Sequence, residues 1–346
     1  RRCVSWRMNM AKGEAPIRVR MIHNAMAPTP AKVAGRLAEH GIDFSEQECS
    51  SAEHVLSFAR DADVVWIMGG SAVVTPDVLE SLDRCWAILR TGAGTDNVPV
   101  DKATERGIVV AHTPEATTQA VAEHTLALLL AVVRQVAVKD RAIKDGVWEK
   151  ASGERCSHLY GQTFGLVGFG RIAQAVARKL AGFEMTLIAC DPVVDAQTMA
   201  KYDVVALDFE EVLQRSDYLS LHTPLTKQTY HLMGESQFQT MKSSAVLINT
   251  CRGKVIDEHA LQLALSEGWI VAAGLDVVEQ EPPDAENPLL YLDNVVATPH
   301  IAGSSDEAPF LFWDHSVRSL IALSQYHWPP WCANPNVTPK RTLLSE

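Results

Sequence analysis

The chain has 346 residues, enough for two domains with separate cores, and its 47% hydrophobic and 21% charged residues are typical of a globular protein. Its formal net charge of −11 argues against non-specific binding to nucleic acid or to anionic membranes. The seven cysteines are scattered without a C-x-x-C pair, and no uninterrupted apolar run reaches about 18 residues. We therefore expect no disulfide framework, no metal site, no membrane span and a reducing, cytoplasmic location.

The first third of the chain alternates predicted strands with predicted helices. The strands cover residues 17–23, 63–68, 86–90 and 108–112, and the helices cover residues 30–40, 76–82 and 100–106. This alternation predicts a parallel sheet with helices on both faces. The small residues at 91–97 follow a strand and can present consecutive N–H groups to an anion, although an ordinary turn explains them equally well.

A long apolar helix is predicted from residue 118 to about residue 145, followed by a loop over residues 146–161. The helix is apolar on more than one face, so we expect it to be buried between layers or against a second subunit. His124 lies on this helix and is expected to be structural.

The segment from Thr163 to Asp191 has the pattern of a dinucleotide-binding unit. A buried strand is followed by Gly168, Gly170 and Ala173, which match the G-x-G-x-x-G/A turn that opens a helix. Gly168 allows the sharp turn, and Gly170 lets backbone N–H groups approach a pyrophosphate at the helix N-terminus. A glycine-rich turn that binds nothing is the alternative, but the acid that ends the next strand favours nucleotide binding.

The same acid bears on the choice of nucleotide. Asp191 lies 21 residues after Gly170, about where a carboxylate meets the adenosine ribose hydroxyls. It would repel a 2′-phosphate, and no Arg or Lys follows before Lys201. The sequence therefore favours NAD over NADP.

The rest of the chain continues the alternation, with strands predicted at 204–207, 218–222, 245–249, 270–275 and 294–297 and a helix near 306–325. If the last helix returns to the first unit, that unit is discontinuous in sequence. Ligands of doubly wound sheets bind beyond the carboxyl ends of the strands. Four polar clusters occupy such ends, namely His222 with Thr223, Arg252, Asp276 with Glu281, and His300.

Three of these residues suit a redox reaction at a carbinol carbon. The guanidinium of Arg252 can hold a carboxylate and a neighbouring carbonyl oxygen. His300 can exchange the proton that accompanies a hydride, and Glu281 can orient its ring. A surface ion pair for Arg252 and a satisfied core histidine are the structural alternatives.

Taken together, these residues resemble the D-isomer specific, NAD-dependent D-2-hydroxyacid dehydrogenase family. The likeness covers seven ordered segments between residues 60 and 305. They lie at residues 90–97, 121–130, 165–173, 221–226, 247–253, 275–283 and 298–303.

The resemblance implies two doubly wound parallel-sheet α/β domains with a cleft between them. A Rossmann NAD-binding domain would cover residues 115–303, and a flavodoxin-like substrate-binding domain would combine residues 1–114 and 304–346. The helix near 118–135 would contribute to a homodimer interface. Residues after Gly303 match the family poorly. Cys251 replaces a common alanine, which would alter packing against the nicotinamide rather than the chemistry, although it could also make the enzyme thiol-sensitive.

The resemblance also assigns roles to individual residues. Arg252, Glu281 and His300 would be catalytic, and Gly92, Ala93, Arg252 and His300 would bind the substrate. The cofactor would contact Gly168, Phe169, Gly170, Arg171, Ile172, Asp191, His222, Thr223, Pro224, Thr250, Cys251, Asp276, His300 and Gly303.

The expected activity is hydride transfer between NAD(H) and C2 of a small 2-oxo or 2-hydroxy acid, of the glyoxylate or hydroxypyruvate type. An NAD(H)-sensing, corepressor-like binding protein of the same fold is the alternative. Formate dehydrogenase, which resembles this family, fits poorly because it carries Gln at the position of Glu281.

Overall fold

The computed structural model describes residues 15–24, 28–69, 73–148 and 157–345. The chain divides into two compact units, of which unit 1 combines residues 1–114 with 309–346 and unit 2 contains residues 115–308. The loop predicted at 146–161 extends over residues 149–156, which lie outside the described residues.

Unit 1 contains a five-stranded parallel sheet of order β2-β1-β3-β4-β5. Its strands are β1 (Arg18–His23), β2 (Asp43–Glu48), β3 (Val64–Met68), β4 (Ala87–Thr91) and β5 (Val109–His112). Its helices are α1 (Ala31–Glu39), α2 (Ala52–Ala59), α3 (Pro76–Ser81) and α4 (Val100–Glu105). Strand β2 and helix α2 are absent from the sequence prediction.

The C-terminal segment packs on the sheet of unit 1. It begins with a helix, Ala308–Ser324, whose Trp313 makes an edge contact with Trp66 of β3 at a ring-centroid distance of 5.6 Å. Further on, the Asn334 side chain accepts the Val110 N–H at 2.8 Å. The C-terminal segment therefore contributes to the core of the first unit.

Unit 2 contains a seven-stranded parallel sheet of order β12-β11-β10-β9-β6-β7-β8. Its strands are β6 (Thr163–Val167), β7 (Thr186–Cys190), β8 (Val204–Ala206), β9 (Tyr218–Leu221), β10 (Val246–Asn249), β11 (Ala272–Leu275) and β12 (Val295–Ala297). Its helices are α5 (Glu115–Val133), α6 (Val136–Lys144), α7 (Arg171–Leu180), α8 (Ala196–Ala200), α9 (Phe209–Arg215), α10 (Glu235–Thr240) and α11 (Glu258–Ser266). The predicted class, two parallel-sheet α/β domains, is confirmed.

The single long helix predicted from residue 118 to 145 is wrong, because two helices cover this segment. Helix α5 ends at Val133, and Gln135 then adopts a left-handed conformation with φ 54° before α6 begins. Burial changes at the same point. Helix α5 is largely buried, whereas α6 has no buried residue.

Helix α5 is long and apolar enough to cross a membrane by length and composition, a test that the core helices of soluble proteins also pass. It lies close to β11, where a Cβ on Gly274 would be 3.2 Å from the Leu128 side chain. Its buried residues join the apolar core that also contains Phe164 and Ile248 of the sheet.

Candidate active site

The turn between β6 and α7 leaves its backbone accessible. Gly168 has φ +88°, and a Cβ there would lie 2.6 Å from the carbonyl oxygen of His222. Gly170 precedes the first residue of α7, and nothing lies within 4 Å of the place where its Cβ would be. The N–H groups at the start of α7 therefore border open space, as binding of a pyrophosphate requires.

Asp191 connects the end of β7 to this turn. Its Oδ2 accepts the N–H of Phe169 at 2.7 Å, and its Oδ1 accepts the N–H groups of Val193 and Val194 at 2.8 and 2.9 Å. An ionised carboxylate has about four lone-pair positions, so one remains for a ribose hydroxyl. The ribose role stays a prediction, and the structure adds a turn-fixing role that the sequence did not reveal.

The other residues of the predicted turn have separate environments. Phe169 is buried against Tyr202, with the ring centroids 5.6 Å apart. Arg171 and Ile172 form the first turn of α7, and the Arg171 guanidinium is 3.9 Å from Glu115.

His222 and Thr223 follow β9. His222 Nε2 lies 2.9 Å from Ser220 Oγ, and burial lowers the pKa of His222 to about 3, so its ring is neutral at physiological pH. The Thr223 hydroxyl is buried without a hydrogen-bond partner in the described part of the chain. Its methyl group is 3.2 Å from the place of a Gly168 Cβ, so this orphaned hydroxyl lies beside the glycine turn. A buried donor that lacks a partner fits a site that a polar cofactor completes.

Arg252 lies in a turn that is stabilised by the side chain of Asn249, the last residue of β10. The Asn249 side chain accepts the Cys251 N–H and donates to the Arg252 carbonyl, both at 3.0 Å. The Arg252 guanidinium donates to the Cys251 carbonyl at 2.6 Å. Gly253 is buried against the backbone of Val278, so the arginine turn packs directly on the segment that leads to Glu281.

His300 and Glu281 form an imidazole–carboxylate pair. His300 Nδ1 lies 2.6 Å from Glu281 Oε2, and the side chains are 48% and 37% exposed. The bond through Nδ1 orients Nε2 as the ring nitrogen that can exchange a proton with a ligand. The structure thus brings together two of the three predicted catalytic residues in direct contact, within the unit that also carries Arg252.

The remaining cofactor candidates lie near the same strand ends. Burial raises the pKa of the Cys251 thiol, which also contacts Asn249 Oδ1 at 3.1 Å. Thr250 Oγ1 is 3.1 Å from Thr125 Oγ1. Pro224 is exposed, and Gly303 borders Thr117 of α5.

Asp276 is 1% exposed, and its carboxylate accepts hydrogen bonds from the loop that carries His300. Its predicted contact with the cofactor stays a prediction. Thr298 Oγ1 donates to the same carboxylate, and His124 Nε2 lies 2.9 Å from Thr298 Oγ1. Both are functional candidates that the site prediction omitted.

Gly92 and Ala93 follow β4 in unit 1. The Gly92 N–H donates to Thr113 Oγ1 at 2.7 Å, and the predicted contact of Gly92 with the substrate stays a prediction. The Ala93 carbonyl oxygen lies 3.0 Å from His112 Nδ1. The predicted contact of Ala93 with the substrate stays a prediction.

Among the described residues, no group of three or more His, Cys, Asp or Glu side chains is arranged to bind a metal. Five described cysteines are free.

The chain is similar in sequence to known proteins. Residues 126–302 match the model of the D-isomer specific 2-hydroxyacid dehydrogenase NAD-binding domain. A glyoxylate reductase of Korarchaeum cryptofilum is 37% identical over 317 residues, which cover 90% of this chain and 95% of that protein. A D-3-phosphoglycerate dehydrogenase of Methanocaldococcus jannaschii is 42% identical over 257 residues, which cover 74% of this chain but 48% of that protein.

The chain is also similar to solved structures. An NADPH-dependent glyoxylate/hydroxypyruvate reductase from Sinorhizobium meliloti, in complex with NADP and malonate, is 28% identical and has a TM-score of 0.81. The match covers 95% of this chain and 100% of that one. With a nucleotide-binding turn and an imidazole–carboxylate pair in one Rossmann unit, the chain belongs to the D-isomer specific 2-hydroxyacid dehydrogenase family and is an NAD-dependent oxidoreductase of small 2-hydroxy and 2-oxo acids.

Proposed function

We propose that the enzyme reduces glyoxylate or hydroxypyruvate to the 2-hydroxy acid with NADH as the electron donor. The observation that carries the chemistry is the 2.6 Å contact between His300 and Glu281, in the same unit as the open glycine turn. The names of the relatives support the substrate class, since glyoxylate reductases and a glyoxylate/hydroxypyruvate reductase align over nearly their whole length.

The residues of this chain would divide the chemistry between binding and proton transfer. The guanidinium of Arg252 would hold the substrate carboxylate and the C2 oxygen through paired hydrogen bonds. The nicotinamide supplies the hydride for C2 when it is bound. His300 Nε2 would give a proton to the C2 oxygen as negative charge develops there, and Glu281 would stabilise the ring orientation through Nδ1.

The direct test removes the proton donor. His300→Ala should lower kcat by at least about 10²-fold in an assay of NADH oxidation with glyoxylate, hydroxypyruvate, pyruvate and phenylpyruvate. NADH binding, followed by fluorescence, should persist. The exposed His259 on α11 provides a matched control, and His259→Ala should retain full turnover. Near-normal turnover of His300→Ala would contradict the assignment.

The preference for NADH over NADPH rests on Asp191. Asp191 is partly buried beside the turn, and no Arg or Lys follows it in sequence before Lys201. The relative from Sinorhizobium meliloti uses NADPH, so family membership alone does not decide the preference. Initial rates with each nucleotide should favour NADH. Asp191→Asn keeps an acceptor oxygen but removes the charge, so the NADPH rate should rise relative to the NADH rate.

Full NADH binding without turnover on any 2-oxo acid would instead indicate the NAD(H)-sensing alternative. No contact among the described residues favours that function over catalysis. Assays with the four 2-oxo acids, together with the measurement of NADH binding, therefore separate catalysis from NAD(H) sensing.

We also propose a cytoplasmic location and a homodimer. In this dimer, helix α6 adds to the interface that the family resemblance assigns to residues 118–135. Helix α6 has no buried residue, and the apolar Val136, Ile143 and Trp148 in and after it are exposed, Trp148 by 73%. Such exposed apolar side chains suit a subunit interface. Light scattering should give twice the chain mass, and Trp148→Glu should shift the protein towards the monomer. The free cysteines are consistent with a reducing compartment.

A further inference from the structure

His300 has a backbone conformation that its own side chain does not explain. Its φ is +53°, in the left-handed region that residues with a Cβ rarely occupy. The His300 side chain is 48% exposed, so packing around the ring cannot hold the backbone there. Other contacts must stabilise this conformation, because rotation of the backbone would move the ring away from Glu281.

Asp276 supplies those contacts. Its carboxylate accepts the N–H of Ile301 at Oδ1 (2.9 Å) and the N–H of Ala302 at Oδ2 (2.8 Å). Its backbone carbonyl accepts the N–H of His300 at 2.8 Å. One buried residue therefore binds three consecutive N–H groups of the loop that carries the proton donor.

Asp276 is in turn fixed by Thr298 and His124. Thr298 Oγ1 donates to Asp276 Oδ1 at 2.6 Å, and His124 Nε2 lies 2.9 Å from Thr298 Oγ1. Because the single hydroxyl proton goes to the carboxylate, the ring nitrogen must be the donor to the hydroxyl. His124 Nε2 is also 3.5 Å from Asp276 Oδ1. The chain of hydrogen bonds thus begins on α5 and ends at the backbone next to His300.

We propose that Thr298 and His124 are positioning residues for His300. Through Asp276 they hold the 298–302 loop in the conformation that pairs the imidazole with Glu281 and aims it at the substrate. This inference rests on the proposed proton-donor function of His300. It assigns a task to two polar residues outside the predicted site.

Two substitutions at one position test the proposal. Thr298→Val removes the hydroxyl and keeps the branched shape, whereas Thr298→Ser keeps the hydroxyl. Thr240→Val is a matched control, because the Thr240 hydroxyl bonds only within α10, to the Ser236 carbonyl in the described structure. Each variant is examined in the complete protein by hydrogen–deuterium exchange of peptides that cover residues 299–303 and by steady-state kinetics.

We expect Thr298→Val to exchange at least about tenfold faster in this loop, as the loss of a hydrogen bond to a charged group predicts. Its kcat should fall by about tenfold or more, because a small displacement of a catalytic group is costly, while the KM for NADH changes little. Thr298→Ser should restore both the slow exchange and most of the turnover. Thr240→Val should match the wild-type protein in both measurements.

Unchanged exchange and kcat in Thr298→Val would overturn the proposal. A raised KM for NADH at normal kcat would also overturn it, because Thr298 would then serve cofactor binding. His124→Phe removes the other donor and decides the question by the same two measurements if Thr298→Val does not fold. If the wild-type protein reduces no 2-oxo acid, the proposed function fails, whereas the exchange rates still show whether Thr298 orders the loop.

Discussion

Replacement of Gly253 by alanine probes how tightly two parts of the site are joined. Gly253 follows Arg252 and is buried against the backbone of the next loop. A Cβ at this position would overlap the Val278 carbonyl and lie 2.5 Å from the Glu279 nitrogen. Both obstacles are main-chain atoms, so no side-chain rotation can relieve the overlap.

The expected loss of activity and stability follows from how far the Val278 carbonyl must move to accommodate the new Cβ. Real Cβ atoms essentially never approach other atoms closer than 3.0 Å, so the Val278 carbonyl would have to retreat by about 1 Å. This shift would separate the Arg252 turn from the segment that carries Glu281. A displacement of this size costs about 10²-fold in rate when it affects catalytic groups, and forced overpacking destabilises a fold by about 1–3 kcal/mol.

The measurement is kcat/KM for 2-oxo acid reduction by Gly253→Ala, together with its thermal unfolding midpoint. Gly182→Ala serves as the control, since nothing lies within 4 Å of that Cβ and its φ is ordinary. If Gly253→Ala kept kcat/KM within about threefold of Gly182→Ala, a rigid contact between the Arg252 turn and the segment that carries Glu281 would be refuted.

Three further outcomes follow from individual contacts. Burial lowers the pKa of His222 from 6.5 to about 3, so the neutral form stabilises the fold above about pH 6.5, and this contribution is lost as pH falls towards 3. The unfolding midpoint of His222→Gln should therefore depend less on pH across that window. Burial raises the pKa of the Cys251 thiol, which argues against the thiol sensitivity considered from the sequence. Iodoacetamide should therefore inactivate the enzyme slowly at neutral pH, and Cys251→Ala should retain activity and change the inactivation rate little. His231 Nε2 lies 2.7 Å from Glu279 Oε1, and His231→Gln should lower the unfolding midpoint by a few degrees and reduce kcat, because Glu279 belongs to the segment that carries Glu281.

The sequence predicted those parts of the fold that carry strong local patterns. The apolar strands of both sheets and the glycine turn at Gly168 appear in the structure where the pattern placed them. Strand β2 was missed because it is an edge strand without a buried residue, and its sequence Asp-Phe-Ser-Glu-Gln-Glu has no apolar run. The break between α5 and α6 was missed because it depends on the left-handed backbone of Gln135, a residue type that gives no signal for it.

In the site, the position of a residue at a strand end indicated which side chains meet. The sequence did not indicate which N–H groups are already hydrogen-bonded within the chain. The pattern together with the family resemblance predicted that His300 and Glu281 would meet, and they are 2.6 Å apart. It could not show that the Gly92 N–H is already bound to Thr113, because those residues are 21 positions apart in sequence. Hydrogen bonds between distant residues depend on the folded chain and leave no local pattern.

The residues that stabilise the loops of the site differ from those predicted to act on the substrate in their position at strand ends and in the backbone N–H groups that they accept. Asn249 ends β10, and Asp276 and Asp191 directly follow β11 and β7, and each accepts backbone N–H groups from a neighbouring turn. A polar oxygen at this point lies at the level where parallel strands give way to loops, so it can satisfy N–H groups that the sheet no longer pairs. An acid at a strand end in such a fold can therefore organise its loop whether or not it also touches a ligand. A mutation that inactivates the enzyme at such a position does not by itself identify a ligand contact, and loop exchange must be measured beside kcat to tell the two apart.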